Sequence, residues 1–341
     1  MSTKNDSPNK TSGTARALLK RSAKLLGLLI LAALVIVLVI GLIPVPLDGF
    51  ESAPDPAQDY QEALRRFDEI LADEEAIVNE ASGSHLMTYG DRTERAYVLI
   101  HGTTNSPLQF VELGDILYAR GHNVLILRMP YHGLRSHRVS ELKSLKAEDL
   151  RDYADDTIDI AVGLGDRVNV IGISGGGAVT SWIAQNRPDA ERVVLLSPFF
   201  GIAHTPFWAD TFLMDFFARV PNVVFDNPTE PRRDWVYRGE ASRGVAEFLR
   251  LGRAVLKQAR SASPAVTDII LVTTASDSTA DNRATDRLIE LWEKSGADIV
   301  SYQFDASLEI PHNSIDPAAD AQKKESVYAK ILELLGEEPL Q

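Results

Sequence analysis

Short apolar runs alternate with stretches of helical periodicity over most of the chain. Ala96–Ile100, Val124–Leu127, Val168–Ile173, Val193–Leu196, Ile269–Val272 and Ile299–Phe304 are rich in Val, Ile or Leu and mostly lack strict alternation. That pattern predicts parallel strands covered on both faces. Between them, residues 107–120, 147–163, 176–186, 282–294 and 318–335 carry apolar residues at helical spacing. Repeated β-α order predicts an α/β fold with a mostly parallel central sheet and helices on both faces. A further helix is expected from Tyr60 to about Glu80, with Tyr60, Leu64, Phe67 and Leu71 on one face. The rhythm breaks once, over about 65 residues from Phe200 to Pro264, which are helical and Pro-rich without a strand signal. An insertion after the fourth apolar run would lie over the strand ends as a lid. Its Phe207, Trp208, Phe212, Phe216 and Phe217 either pack it onto the body or line an apolar pocket and touch lipid.

The N-terminal region has a different pattern. Residues 1–24 are polar, hold Lys4, Lys10, Arg16, Lys20, Arg21 and Lys24 against Asp6, and read as a disordered tail. Leu25–Ile43 then runs without a charged or polar side chain. At 1.5 Å per residue a helix of this length spans about 28 Å, close to a bilayer core. The run exceeds the apolar core of a secretory leader, and no small-x-small cleavage site follows it. A single-pass membrane anchor is therefore expected. Basic residues precede the span and Asp48, Glu51, Asp55 and Asp59 follow it, so the N-terminus is placed in the cytoplasm and the rest of the chain outside it. Residues 44–57, with four prolines, read as a linker to a domain over 58–341.

Charge divides in the same way. Of 35 basic and 48 acidic residues, six basic and one acidic lie in the tail, so the rest carries 29 against 47, a net of −18. A surface this acidic argues against nucleic-acid binding. The absence of cysteine excludes disulfides and thiolate chemistry. No His-x-x-x-His pair or acidic cluster has ligand spacing, so no metal is expected.

The strongest chemical signal is Gly172-Ile173-Ser174-Gly175-Gly176, between the run ending at Ile173 and the helical stretch from 176. Strand, Gly-x-Ser-x-Gly, helix is a nucleophile elbow: the turn strains the serine, and the glycines remove clashes around it. The Walker Lys-Ser/Thr and the spacing of a dinucleotide fingerprint are both missing. A serine hydroxyl needs a base. Of seven histidines only His312 lies beyond the last predicted strand, in a loop before the final helix, and it is the candidate general base. The candidate acid is Asp277, just after the run Ile269–Val272, where it would fix the tautomer of His312. Asp281 competes, but it directly precedes the 282–294 helix and reads better as its N-cap. Backbone donors for an oxyanion are expected from Gly175 and from Thr103, in the loop after Tyr97–Ile100. His101 and Gly102 would shape that loop.

Taken together, His101-Gly102-Thr103-Thr104-Asn105-Ser106-Pro107, Arg128-Met129-Pro130-Tyr131-His132-Gly133, the elbow, Ser276-Asp277 and Pro311-His312-Asn313 resemble the α/β-hydrolase superfamily. More narrowly they are similar to its bacterial carboxylesterase and monoacylglycerol-lipase-like branch. The resemblance covers about residues 85–335 and implies an α/β-hydrolase fold with a helical lid at about 200–264. It also implies ester hydrolysis through an acyl-enzyme on Ser174, without a cofactor, on a small-molecule or lipid-derived ester. Its Pro-x-His-Gly turn is structural, which gives His132 no catalytic role. Two positions depart from the pattern: Gly175 stands where a larger residue is common, and Thr103 where an aromatic is common. Both alter the pocket wall more than the N–H donors. A thioesterase or amidase on the same triad, or a silent membrane-tethered binding module, are the alternatives.

Overall fold

The computed structural model describes residues 11–228 and 231–339. Seven strands form the central sheet: β1 (His85–Met87), β2 (Thr93–Ile100), β3 (Asn123–Ile126), β4 (Gly165–Ile173), β5 (Ala190–Leu196), β8 (Asp268–Thr274) and β9 (Asp298–Phe304). Their order is β1-β3-β2-β4-β5-β8-β9, and every pairing is parallel except β1 with β3. Neighbouring residues along each inner strand serve two different cores. Ala96, Val98, Val168, Val170, Val193, Leu195, Ile269 and Leu271 enter one. Tyr97, Leu99, Ile171, Ile173, Val194, Leu196, Ile270 and Val272 enter the other. Both faces are thus dry, which is why these strands read as continuous apolar runs. The first core is closed by α4 (Ala147–Leu164), α5 (Gly175–Asn186), α7 (Ser242–Ala259) and α8 (Asn282–Lys294), the second by α3 (Leu108–Tyr118) and α9 (Ala321–Leu335).

Helix α2 (Tyr60–Glu75) packs on α4. Tyr60, Ala63 and Phe67 are buried, whereas Leu71, expected on the same face, is exposed. A Cβ at Gly163 would overlap Asp59 O and Ala63 Cβ, so α4 needs glycine where α2 approaches closely. Strand β1 was not expected: three half-buried residues are too short to carry a period.

Helix α1 (Thr11–Leu42) begins inside the stretch that composition marks as a disordered tail. Ala15, Ala17, Leu18, Leu19, Lys20 and Arg21 are good helix formers, and an existing helix extends through them without a new nucleus. The tail before Thr11 lies outside the described residues. Leu18–Leu42 is long and apolar enough to cross a membrane, and nearly all of it is exposed.

The proline-containing stretch after α1 is bonded to the body along its length. Val45 N donates to Asp215 Oδ1 at 2.7 Å, and the carbonyl of Phe50 accepts the Trp182 indole N–H at 2.7 Å. The Phe50 ring is buried to 1% exposure. Ala53 N and Asp55 N donate to Asp155 and Asp159, both at 2.9 Å. The same carboxylates hold the fully buried Arg187 guanidinium at 2.8 and 2.6 Å.

Residues 200–264 divide in two. Helix α7 belongs to the layer against the sheet, packed on α5 with Phe248 buried. Helix α6 (Phe207–Phe217) and a small hairpin of β6 (Val224–Phe225) and β7 (Glu240–Ala241) complete the stretch. The aromatics of α6 have separate duties. Phe207 carries the Arg253 and Arg287 guanidinium groups at 3.9 and 4.1 Å from its ring centre. Phe212 stacks with Phe216 and covers Gly41 at the end of α1, while Trp208 is 72% exposed.

Candidate active site

The site stands at the carboxyl ends of β2, β4, β5 and β8. Strand β4 ends at Ile173, α5 opens at Gly175, and Ser174 between them has φ 56° and ψ −118°. A serine with positive φ is strained. The turn holds it there through bonds from Ser174 N to Leu196 O and from Phe199 N to Ser174 O, both 2.9 Å. A Cβ at Gly176 would collide with the carbonyls of Ile100 and His101, and one at Gly172 with Thr180 Oγ1 and Gly176 O. Because backbone atoms form most of that obstruction, it cannot swing away, and glycine is required at both positions.

His312 lies in the loop after β9, and its ring bridges two groups. Nε2 is 2.8 Å from Ser174 Oγ, and Nδ1 is 2.8 Å from Asp277 Oδ2. With the proton on Nδ1, Nε2 accepts the serine hydroxyl. The Asp277 side chain is completely buried and that of His312 is 8% exposed. Burial acts to raise the Asp277 carboxyl. The hydrogen bond and charge of His312, with N–H bonds from Thr279 and Ala280, outweigh it and hold the group below the usual carboxylate range. The loop is fixed by Ile310 O, which accepts from Thr274 Oγ1 at 3.1 Å and Ser276 Oγ at 2.9 Å. Asp281 is engaged elsewhere: it caps α8 by accepting from Arg283 N and pairs with the Arg283 guanidinium at 2.9 Å.

Thr103 follows β2 and borders the serine, since a Cβ at Gly102 would lie 3.3 Å from Ser174 Cβ. A Cβ at Gly175 would lie 3.1 Å from Thr103 Oγ1, which puts the two residues side by side. The Gly175 N–H opens a helix and has no intrahelical acceptor. The Thr103 N–H has none among the described residues. His101 and His132 are fully buried, with rings 5.2 Å apart. His101 donates from Nδ1 to Gly102 O and accepts from Met129 N at Nε2, so it joins the two loops. His132 donates to Pro130 O. Burial lowers both histidines, His132 to about 4.

Sequence reasoning missed several residues here. Gln109 accepts the Gly102 N–H at 2.8 Å, and Asn105 donates to Asp316 Oδ2 at 3.0 Å, tying the Thr103 loop to the His312 loop. These partners lie on different elements and leave no local pattern. Ser174 and His312 open into a cavity of about 550 Å³ walled by Phe199, Leu213, Met214, Phe217, Phe225 and Leu249. Glu240 also lines it, and burial pushes its carboxyl up to about 7. A cleft of about 810 Å³ beside Arg128 and Asp156 shares no residue with this cavity. Among the described residues no group of three or more His, Cys, Asp or Glu side chains is arranged to hold a metal.

Residues 97–312, more than half of the chain, match the model of the alpha/beta hydrolase family. The chain belongs to the alpha/beta hydrolase family. Among solved structures, this hydrolase is similar to the monoacylglycerol lipase of Paleococcus ferrophilus, with 20% identity, a TM-score of 0.57, and 75% of this chain and 99% of that one covered. A metagenome-derived lipolytic enzyme of the LipS and LipT pair matches with 15% identity and a TM-score of 0.56, over 76% and 100% of the two chains. A soluble variant of the monoglyceride lipase of Saccharomyces cerevisiae matches with 13% identity and a TM-score of 0.52, over 78% and 95%. At such identities the likeness is one of fold. No curated protein matches the chain.

Proposed function

We propose that this hydrolase is a membrane-anchored serine enzyme that cleaves carboxylic esters of an apolar acyl group through an acyl-enzyme on Ser174. The observation that carries the reading is the pair of 2.8 Å contacts that sets His312 between Ser174 and Asp277. In this mechanism His312 Nε2 takes the hydroxyl proton as Ser174 Oγ attacks the ester carbonyl. Asp277, held ionised, stabilises the imidazolium that forms. The N–H groups of Thr103 and Gly175 receive the oxyanion. His312 then protonates the leaving alcohol, and water attacks the acyl-enzyme by the same route in reverse. The apolar walls of the cavity suit an acyl chain. That the solved relatives of this fold include monoacylglycerol and monoglyceride lipases favours an ester linkage.

In the same reading residues 1–24 are a basic cytoplasmic tail, 25–43 the span, 44–57 the connection and 58–341 the extracytoplasmic hydrolase domain, with a lid drawn from 200–264. The packing of Gly41 under Phe212 supports an anchor that stays attached, because the last turn of α1 is then part of the lid contact. Anchoring near a bilayer favours lipid-derived substrates.

The test is hydrolysis of short- and medium-chain p-nitrophenyl esters by the full chain in detergent. Ser174→Ala and His312→Ala should each lower kcat by about 10⁴-fold or more, and Asp277→Asn by about 10³ to 10⁴-fold. A fluorophosphonate should label the unmodified chain and not Ser174→Ala. Labelling without ester turnover would move the substrate to a thioester or amide. Neither labelling nor turnover would leave a binding module.

A further inference from the structure

The cavity in front of Ser174 contains one group that its apolar walls do not explain. Glu240, in β7, lines it together with Ser174 and His312. Its Oε2 is buried and has no hydrogen-bond partner, and no cation pairs with the carboxyl among the described residues. The two buried carboxyls that fix the His312 and Thr103 loops are answered, Asp277 by His312 and two N–H groups and Asp316 by Asn105 and Ala318 N. A carboxyl oxygen removed from water without a partner destabilises the fold. The Glu240 side chain borders that cavity, so a turn of its carboxyl would present the oxygen to a donor on a ligand.

We propose that Glu240 is a specificity-determining residue that accepts a hydrogen bond from a hydroxyl or ammonium group on the substrate, so that the cavity selects esters bearing such a donor over plain alkyl esters. This rests on the ester-hydrolase reading of the same site. The surroundings fit the role. Phe217 and Phe225 wall the same space, and their rings tolerate either a hydroxyl-bearing chain or an organic cation. The hairpin that carries Glu240 is itself fixed. Tyr237 N donates to Thr104 O at 2.8 Å, in the loop that also bears Thr103, and Ala241 is buried. The carboxyl is therefore held in register with the oxyanion loop, and a donor at one set distance from the ester carbonyl would reach it. Such an anchor adds orientation as well as affinity, which an all-apolar pocket gives poorly.

Binding separates this proposal from the hydrolase reading, because it requires no turnover. Full-length Ser174→Ala protein in detergent is titrated calorimetrically with matched esters. One series is hexyl, 6-hydroxyhexyl and 6-aminohexyl butanoate, and the other is propyl hexanoate, 6-hydroxyhexanoate and 6-aminohexanoate. At least one donor-bearing ester should bind about tenfold or more tightly than its alkyl counterpart. Adding Glu240→Met, close in size and flexible, should abolish or invert that preference. Adding Glu240→Gln should retain a hydroxyl ester better than an ammonium ester, since the amide oxygen still accepts but carries no charge. A merely structural role for Glu240 would change all affinities together and leave their ratios fixed. The proposal is overturned if no donor-bearing ester is preferred, or if the preference survives Glu240→Met. Should Glu240→Met fail to fold, equal affinities across a series in the Ser174→Ala protein alone would overturn it.

Discussion

Ser174 is readable in the sequence and strained in the structure. Its φ of 56° suits glycine, not a residue with a Cβ. Strain of this kind costs about 1–3 kcal/mol. Two variants measure it: Ser174→Ala keeps the Cβ and Ser174→Gly removes it. The glycine variant should be the more stable by about 1 kcal/mol in urea unfolding, even after the extra freedom glycine gives the unfolded chain. Equal midpoints would mean that the strain does not exceed the entropic cost of glycine, about 0.4–1 kcal/mol. The two buried histidines give the fold an acid sensitivity of definite sign. His132 is lowered to about 4 by burial, and His101 is also lowered well below its ordinary value. The unfolded chain takes up these protons near 6.5, so between about pH 6.5 and pH 4 it binds more protons than the folded chain. Stability from this source is complete above about pH 6.5 and declines as pH falls towards 4. For His132 alone the loss at pH 5 is about 2 kcal/mol. Urea unfolding at pH 7 and pH 5 should show that loss, reduced by about the same amount in His132→Asn. The residues brought together around Ser174 were legible because an elbow is a local motif and the chain order of its partners narrows the candidates. Glu240, Asn105 and Asp316 were not, because a lone carboxyl or amide acquires meaning only from what the fold places opposite it.

At the scale of elements, the sheet was legible and its edges and straps were not. Strands β2 to β5 and β8 are long enough and dry enough to show as apolar runs. The edge strand β9 shows by Ile299, Val300, Tyr302 and Phe304, although most of it is exposed or half-buried. Gly177, packed against Pro198, closes α5 onto the loop after β5. Strand β1 and the two-residue strands β6 and β7 are too short for any period to register. The course of residues 44–57 was hidden for another reason. Its bonds run to α4 and α5 through Asp155, Asp159 and Trp182, more than a hundred residues away. Arg187 is the centre of that junction. Its side chain is fully buried, and its guanidinium holds Asp155, Asp159 and, from Nε, Asp189 at 3.1 Å. Removing one member of a buried ion group leaves uncompensated charge, at about 3–5 kcal/mol. Arg187→Met should therefore lower stability by that amount, and pairing it with Asp155→Asn should recover part of the loss. Unfolding free energies of the two variants and the double variant decide it. Additive losses would show that Arg187 and Asp155 do not act as a pair.

On the scale of the whole molecule, the question is where the apolar helix α1 stops and the hydrolase body starts. Composition places the boundary after the prolines, at residue 58, but the contacts place it before them. Val45 is bonded to Asp215 of α6, Arg219 Nη2 donates to Pro44 O at 2.8 Å, and Phe50 fills a slot between α5 and α7 with its carbonyl on Trp182 and its ring under Arg250. A fragment beginning at Ser52 removes that phenylalanine and leaves the Trp182 N–H buried without its acceptor. The two losses together amount to about 4–8 kcal/mol. A fragment beginning at Pro44 keeps both contacts and discards only the apolar helix. The longer fragment should be monodisperse without detergent and melt in one transition. The shorter one should melt about 10 °C or more lower, or aggregate. Equal melting temperatures would show that the strap contributes nothing to the body. The same pair of proteins tests the proposed anchor. The Pro44 fragment should match the full chain on a water-soluble ester, because the cavity and the elbow are unchanged. On the proposed anchoring, it should fall behind on the same acyl ester presented in vesicles, where α1 would keep α6 and the cavity mouth at the bilayer. Parity on both substrates would show that α1 does not deliver substrate.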